Sequence, residues 1–139
     1  MVDRSVVRAK VAVIQIRLRE LKNYRKATIA QLTENMAIQS IVLHNYQIAV
    51  QACGDLASHI IADQELGIPG TQAELFEILA KEKIISGILG EKFKDHVGLR
   101  NLIVHGYDKL DYAKIHATLP RRIQDIARYL KAVIAYAKL

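Results

Sequence analysis

Apolar residues recur every third or fourth position along nearly all of this 139-residue chain. That spacing is the period of an α-helix and not of a strand. Val7, Val11, Ile14, Leu18 and Leu21 form one stripe. Ile38, Ile41, Val42, Ala49, Ala52, Cys53, Leu56 and Ile60 form a second, which predicts a long helix running to about Leu66. A third helix, from about Ile84 to Val104, offers Ile85, Ile88, Leu89, Phe93, Val97 and Leu102 to the core. The last carries Ile115, Leu119, Ile123, Ile126, Leu130 and Val133. Two Pro and seven Gly are too few to supply the closely spaced turns of a sandwich or barrel.

The breaks between stripes carry start and stop signals. Thr28 with Gln31 makes a weak capping box, and Thr33-Glu34-Asn35 offers a second start. Gly67-Ile68-Pro69-Gly70 is the clearest stop. Thr71 and Glu74 form a capping box, with the hydroxyl and the carboxylate each satisfying an orphan amide; Leu75, Phe76 and Leu79 face inward behind it. Gly54 permits close approach of a neighbouring helix. Pro120, inside the last stripe, should kink that helix or mark a fresh start with Thr118 as cap. The expectation is an all-α, antiparallel up-down bundle of four main helices plus a short one, as a single domain over 1–139.

One cysteine, Cys53, forbids an intrachain disulfide and a multi-cysteine zinc site. No apolar run approaches the roughly 18 residues of a membrane span, and no segment has the order of a signal peptide. The expected setting is soluble and cytoplasmic. A formal charge of +6 permits a polyanionic partner without showing one.

Chemistry concentrates in Gly98-Leu99-Arg100-Asn101-Leu102-Ile103-Val104-His105-Gly106-Tyr107. Phosphate-cradling glycine loops, nucleophile elbows and HExxH are absent from the sequence. Arg100 and His105, five apart, stand roughly 140° from each other on a straight helix. They can meet if the helix ends near His105, with Gly106 as the left-handed residue beyond it, or if a second copy supplies the other group. Arg is a permanent planar fork for phosphate oxygens, and His exchanges a proton near neutral pH. The pair suits RNA cleavage, in which the 2′-hydroxyl is the nucleophile and no metal is required. The same two residues near a helix end also suit a cap and a salt bridge.

This segment resembles the HEPN superfamily signature R-x(4–6)-H. More narrowly it resembles the R-x4-H-x-Y motif of the HepT toxins of HepT/MntA toxin–antitoxin systems, matched by Arg100, Asn101, His105 and Tyr107. Cys53-Gly54-Asp55-Leu56-Ala57-Ser58-His59-Ile60-Ile61-Ala62, Leu66-Gly67-Ile68-Pro69 and Gly98-Leu99-Arg100-Asn101 are similar to further blocks of that family. The resemblance covers about residues 34–135. It implies a dimeric helical bundle whose two motifs face each other, and a metal-independent ribonuclease with Arg100 and His105 as active residues and Asn101 in support. It implies no cofactor and no membrane, and a nucleotidyltransferase antitoxin that transfers AMP from ATP to Tyr107. A phosphodiester and a base beside Arg100 and His105 would then exclude substrate. Non-catalytic members of the superfamily that bind nucleotides or partners define the alternative.

Other positions stay open. His96 shares the Arg100 face and either joins the site or adds charge. Asp55, His59 and Asp63 recur at four-residue spacing, as a weak metal set or a polar patch within a helix interface. His44 and His116 read as surface or core-edge residues, and Cys53 as a small buried hydrophobe. Lys109, Lys114, Arg121, Arg122 and Arg128 either guide RNA or solubilise a face.

Overall fold

The computed structural model describes residues 3–139; the expected domain bounds also include residues 1 and 2, which lie outside the described residues. Six α-helices follow one another: α1 (Arg4–Lys22), α2 (Ile29–Glu34), α3 (Met36–Asp63), α4 (Gln72–Lys81), α5 (Gly87–His105) and α6 (Tyr112–Ala137). A 3-10 turn, Tyr107–Lys109, joins α5 to α6. No strand occurs among the described residues.

Cross-helix bonds give the directions. Lys10 meets Asp55 and Arg17 meets Asn45, so α1 and α3 run oppositely. Tyr46 meets His96 and Gln39 meets Tyr107, which sets α5 against α3. Arg4 reaches the Lys138 carbonyl from the start of α1 to the end of α6. Arg122 meets Tyr46 and Tyr129 meets the Cys53 carbonyl, so α3 and α6 are parallel. The four long helices thus form the expected up-down bundle.

Local chemistry explains most boundaries. Asp3, Thr28, Asn35, Thr71, Ser86 and Asp111 cap the six helices with side-chain oxygens. Both start signals near residue 30 are used: Thr28 and Gln31 close a full capping box on α2, and Asn35 opens α3. This adds one short helix to the expected set. At Thr71 the box is half right. The hydroxyl takes the Glu74 amide, but the Glu74 carboxylate reaches the amide of Gly70 at 2.6 Å, one residue earlier.

Four further expectations are corrected. Pro120 does not mark a fresh start, since α6 is continuous around it; Thr118 donates to the Lys114 carbonyl instead of capping. Gly106 has φ −133° and is not left-handed; its amide still bonds the Leu102 carbonyl and its carbonyl starts the 3-10 turn. Ile88 and Leu102 are exposed, because the inward stripe of α5 runs through Leu89, Phe93, His96, Val97 and Ile103 and each of the two stands one residue off it. The final departure is the end of α3 at Asp63 and not Leu66; Glu65 and Gly67 take positive φ in the following loop.

Val7, Val11, Ile14, Leu18 and Leu21 are all buried, as are all six stripe residues of α6. Phe76, Phe93 and Tyr129 stack at the centre, with Phe76 and Phe93 ring centroids 4.4 Å apart. Gly54 and Gly90 are buried where α4 comes close. A Cβ at Gly54 would stand 2.9 Å from Gln72 Oε1, and one at Gly90 would stand 2.9 Å from the Ala80 Cβ. Cys53 is completely buried, and burial pushes its thiol pKa up. No helix among the described residues is long and apolar enough to cross a membrane.

Candidate active site on α5

Arg100 and His105 lie on one unbroken helix, with His105 as its last residue. Arg100 is half-buried and His105 is exposed. The continuous helix keeps them on different sides of α5, and no hydrogen bond joins them among the described residues. The Arg100 guanidinium reaches Asn101 Oδ1 at 3.3 Å, while its Nε is shielded and has no partner. No carboxylate pairs with Arg100 among the described residues, although Lys10, Lys92, Lys94, Arg121 and Arg122 all have one. A guanidinium without a counter-charge is a place for an anion.

Tyr107, in the 3-10 turn, is half exposed, and its hydroxyl donates to Gln39 Oε1 at 2.8 Å. Tyr112, at the start of α6, adjoins it. Burial, and then a hydrogen bond with Tyr107, pushes the Tyr112 hydroxyl up to about 12. A cleft of about 380 Å³ opens on the adjoining side of α5. Leu99, Leu102, Leu110 and Ile115 line it with Lys109 and Lys114.

His96 is not in the site. It is fully buried one turn before Arg100, inside a polar chain that links three helices. Arg122 Nη1 donates to the Tyr46 hydroxyl at 3.1 Å, that hydroxyl meets His96 Nδ1 at 2.6 Å, and His96 Nε2 meets Asp125 at 2.9 Å. The arrangement assigns the ring proton to Nε2, facing the carboxylate. Burial is the main reason that the His96 pKa falls to about 4, against the pull of Asp125; the ring is therefore neutral at pH 7. Arg122 is also buried, with Nε on Thr118 and Nη2 on Asp95 at 2.9 Å. It cannot guide RNA as a surface charge. Arg121 is exposed but pairs with Asp95 and Asp125, whereas Lys109, Lys114 and Arg128 lie on the surface.

The remaining candidates do not assemble. Asp55 bonds Lys10 and Gln51. His59 is half-buried, and its Nε2 has no hydrogen-bond partner. No group of three or more His, Cys, Asp or Glu side chains placed to hold a metal occurs among the described residues. His44 is exposed and His116 half-buried.

The chain belongs to the Ribonuclease HepT-like family, whose profile matches residues 14–133. It is 31% identical over 106 residues to the mRNA nuclease HepT of Shewanella oneidensis, covering 76% of this chain and 80% of that protein. It is 24% identical to the tRNA nuclease HepT of Aphanizomenon flos-aquae over 97% of this chain and 92% of that one. The fold superposes with a TM-score of 0.86 on the tri-AMPylated HEPN toxin of Shewanella oneidensis in complex with MNT antitoxin. There the sequence identity is 28%, and 97% of this chain and 99% of that chain are covered.

Proposed function

We propose that this protein is a ribonuclease toxin, one domain acting in the cytoplasm, with Arg100 and His105 as its catalytic residues. The observation that carries the assignment is the unpaired Arg100 guanidinium on the helix that ends in an exposed His105. The family match and the nuclease relatives support the activity. His105 takes the proton of a ribose 2′-hydroxyl, whose oxygen attacks the neighbouring phosphorus. The bond from phosphorus to the 5′-oxygen breaks, and that oxygen leaves with a proton. The products are a 2′,3′-cyclic phosphate and a 5′-hydroxyl. Arg100 balances the charge that builds on the phosphate oxygens, and Asn101 holds the guanidinium from the side. No step calls for a metal, because the nucleophile belongs to the substrate. DNA, which lacks the 2′-hydroxyl, resists.

Because the helix separates Arg100 and His105, two copies facing along α5 would bring one copy's His105 toward the other's Arg100. Leu102 and Val104, exposed between them, would supply apolar contact for that pairing. Control comes from a nucleotidyltransferase antitoxin that adds AMP to Tyr107, as the AMPylated relative bound to MNT antitoxin supports. Tyr107 is half exposed and so open to modification. Each nucleotide added there brings a negative phosphodiester that competes for Arg100.

Arg100→Ala and His105→Ala should each lower RNA cleavage by about 10²–10⁴-fold, with cleavage by the parent unaffected by EDTA. Both side chains lie outside the core, so melting temperatures should stay near the parent's. A folded variant that cuts RNA at the parental rate overturns the assignment. A parent that binds nucleotide yet leaves every RNA intact favours the non-catalytic binding module.

A further inference from the structure

The Tyr107 hydroxyl is held, although the ring is half exposed. Its partner Gln39 sits in the first turn of α3, half-buried, with Oε1 at 2.8 Å from the phenol. The other end of that amide is tied down: Nε2 donates to the Leu32 carbonyl of α2 at 3.1 Å. An amide whose NH₂ is engaged by a carbonyl presents its oxygen on the other side, so Gln39 is fixed as an acceptor. Tyr112 completes the arrangement from α6. Its hydroxyl, with a pKa raised by burial and by the neighbouring Tyr107, keeps its proton at neutral pH. Residues from α2, α3 and α6 thus converge on one solvent-facing phenol. A lone exposed tyrosine gains little stability from such bonds.

We propose that Gln39 is a positioning residue for nucleotidyl transfer to Tyr107, an inference that rests on the reading of Tyr107 as the AMP acceptor. The phenol donates toward α3, which fixes its rotation and leaves a lone pair for attack. In the transfer the phenolic oxygen bonds the α-phosphorus of ATP. The bond from that phosphorus to the oxygen bridging to the β-phosphate breaks, and pyrophosphate leaves with the electron pair. The phenolic proton passes to a base of the transferase, since an amide oxygen is too weak a base to keep it. The esterified oxygen then has no proton to donate. The tie to Gln39 is lost, and the ring with its nucleotide is released from α3.

The test follows mass gain on Tyr107 with ATP, Mg²⁺ and the antitoxin nucleotidyltransferase, for the parent, Gln39→Met and Gln39→Glu. Gln39→Met keeps the length of the side chain but removes the acceptor, and should lower kcat for the first AMP about tenfold with KM for ATP unchanged. Gln39→Glu gives up the tie to the Leu32 carbonyl but keeps an acceptor oxygen for the phenol, and should stay within about threefold of the parent. RNA cleavage by each unmodified variant should match the parent. Parental kcat for Gln39→Met overturns the inference. So does an equal loss in both variants, which would make Gln39 merely structural, or a change confined to affinity for the transferase. A parent that gains no mass on Tyr107 removes the acceptor reading itself, a result distinct from a parent and a Gln39→Met variant modified alike.

Discussion

At the scale of single residues, the polar chain from Arg122 through Tyr46 and His96 to Asp125 decides how well the motif helix is held. Removing one member leaves its buried neighbours short of a bond. Arg122→Met takes the donor from the Tyr46 hydroxyl and from Thr118, leaves Asp95 with Arg121 and solvent, and should cost about 1–3 kcal/mol in urea unfolding. His96 sets a pH dependence of known sign. Its folded pKa of about 4 lies below the unfolded value of about 6.5, so the unfolded chain binds more protons between those limits. Its contribution is complete above pH 6.5 and is lost as the pH falls through 4. The unfolding free energy from urea titrations should therefore drop over that window, by an amount on the order of a few kcal/mol. In His96→Phe this part of the drop should vanish. The residues that the sequence exposes best are those with distinctive chemistry at the end of a helix, Arg100, His105 and Tyr107. Arg122 reads as a surface base, and not as a core residue, because a stripe is counted in apolar residues. The signal was present: Ile115, Leu119, Arg122, Ile126, Tyr129 and Val133 recur at three and four, with a guanidinium at an inward position. Gln39 gave no signal, since nothing in an isolated glutamine tells which tyrosine will fold beside it.

At the scale of elements, α5 is held by close contact at one end and is open at the other. At Gly90 a methyl group would collide with Ala80 and crowd the Phe76 carbonyl, neither of which is a flexible tip. At Gly98 nothing lies within 4 Å of where a Cβ would stand. Gly90→Ala should therefore destabilise by about 1–3 kcal/mol, and Gly98→Ala should stabilise by about 0.5–1 kcal/mol through helix propensity alone. Chemical denaturation of both variants checks the opposite signs. Helix starts were legible because a short polar side chain over a free amide is local chemistry, as Thr28, Asn35 and Thr71 show. Helix ends and the fate of Pro120 were less so. Whether a proline breaks a helix depends on the packing of the residues around it, and here Leu119 and Ile123 are both buried on either side of an exposed ring.

At the scale of the whole molecule, the bundle direction followed from four stripes joined by short links, while the pairing of faces needed coordinates. The excess of positive charge lies mostly outside, with Lys109 and Lys114 at the cleft beside the motif. Cleavage efficiency on single-stranded RNA should fall as salt rises, and Lys109→Gln should reduce the slope of log kcat/KM against log salt by roughly 0.7 if that side chain meets one phosphate. An unchanged slope would assign Lys109 to solubility. Cys53 has a practical consequence of its own. Its sulfur is sealed in the centre of α3 and kept protonated, so thiol reagents meet no target on the folded surface. A fluorophore or spin label attached through a cysteine introduced at Val104 would report from that position alone, and the separation between two such labels would measure how far apart neighbouring copies hold their motif helices.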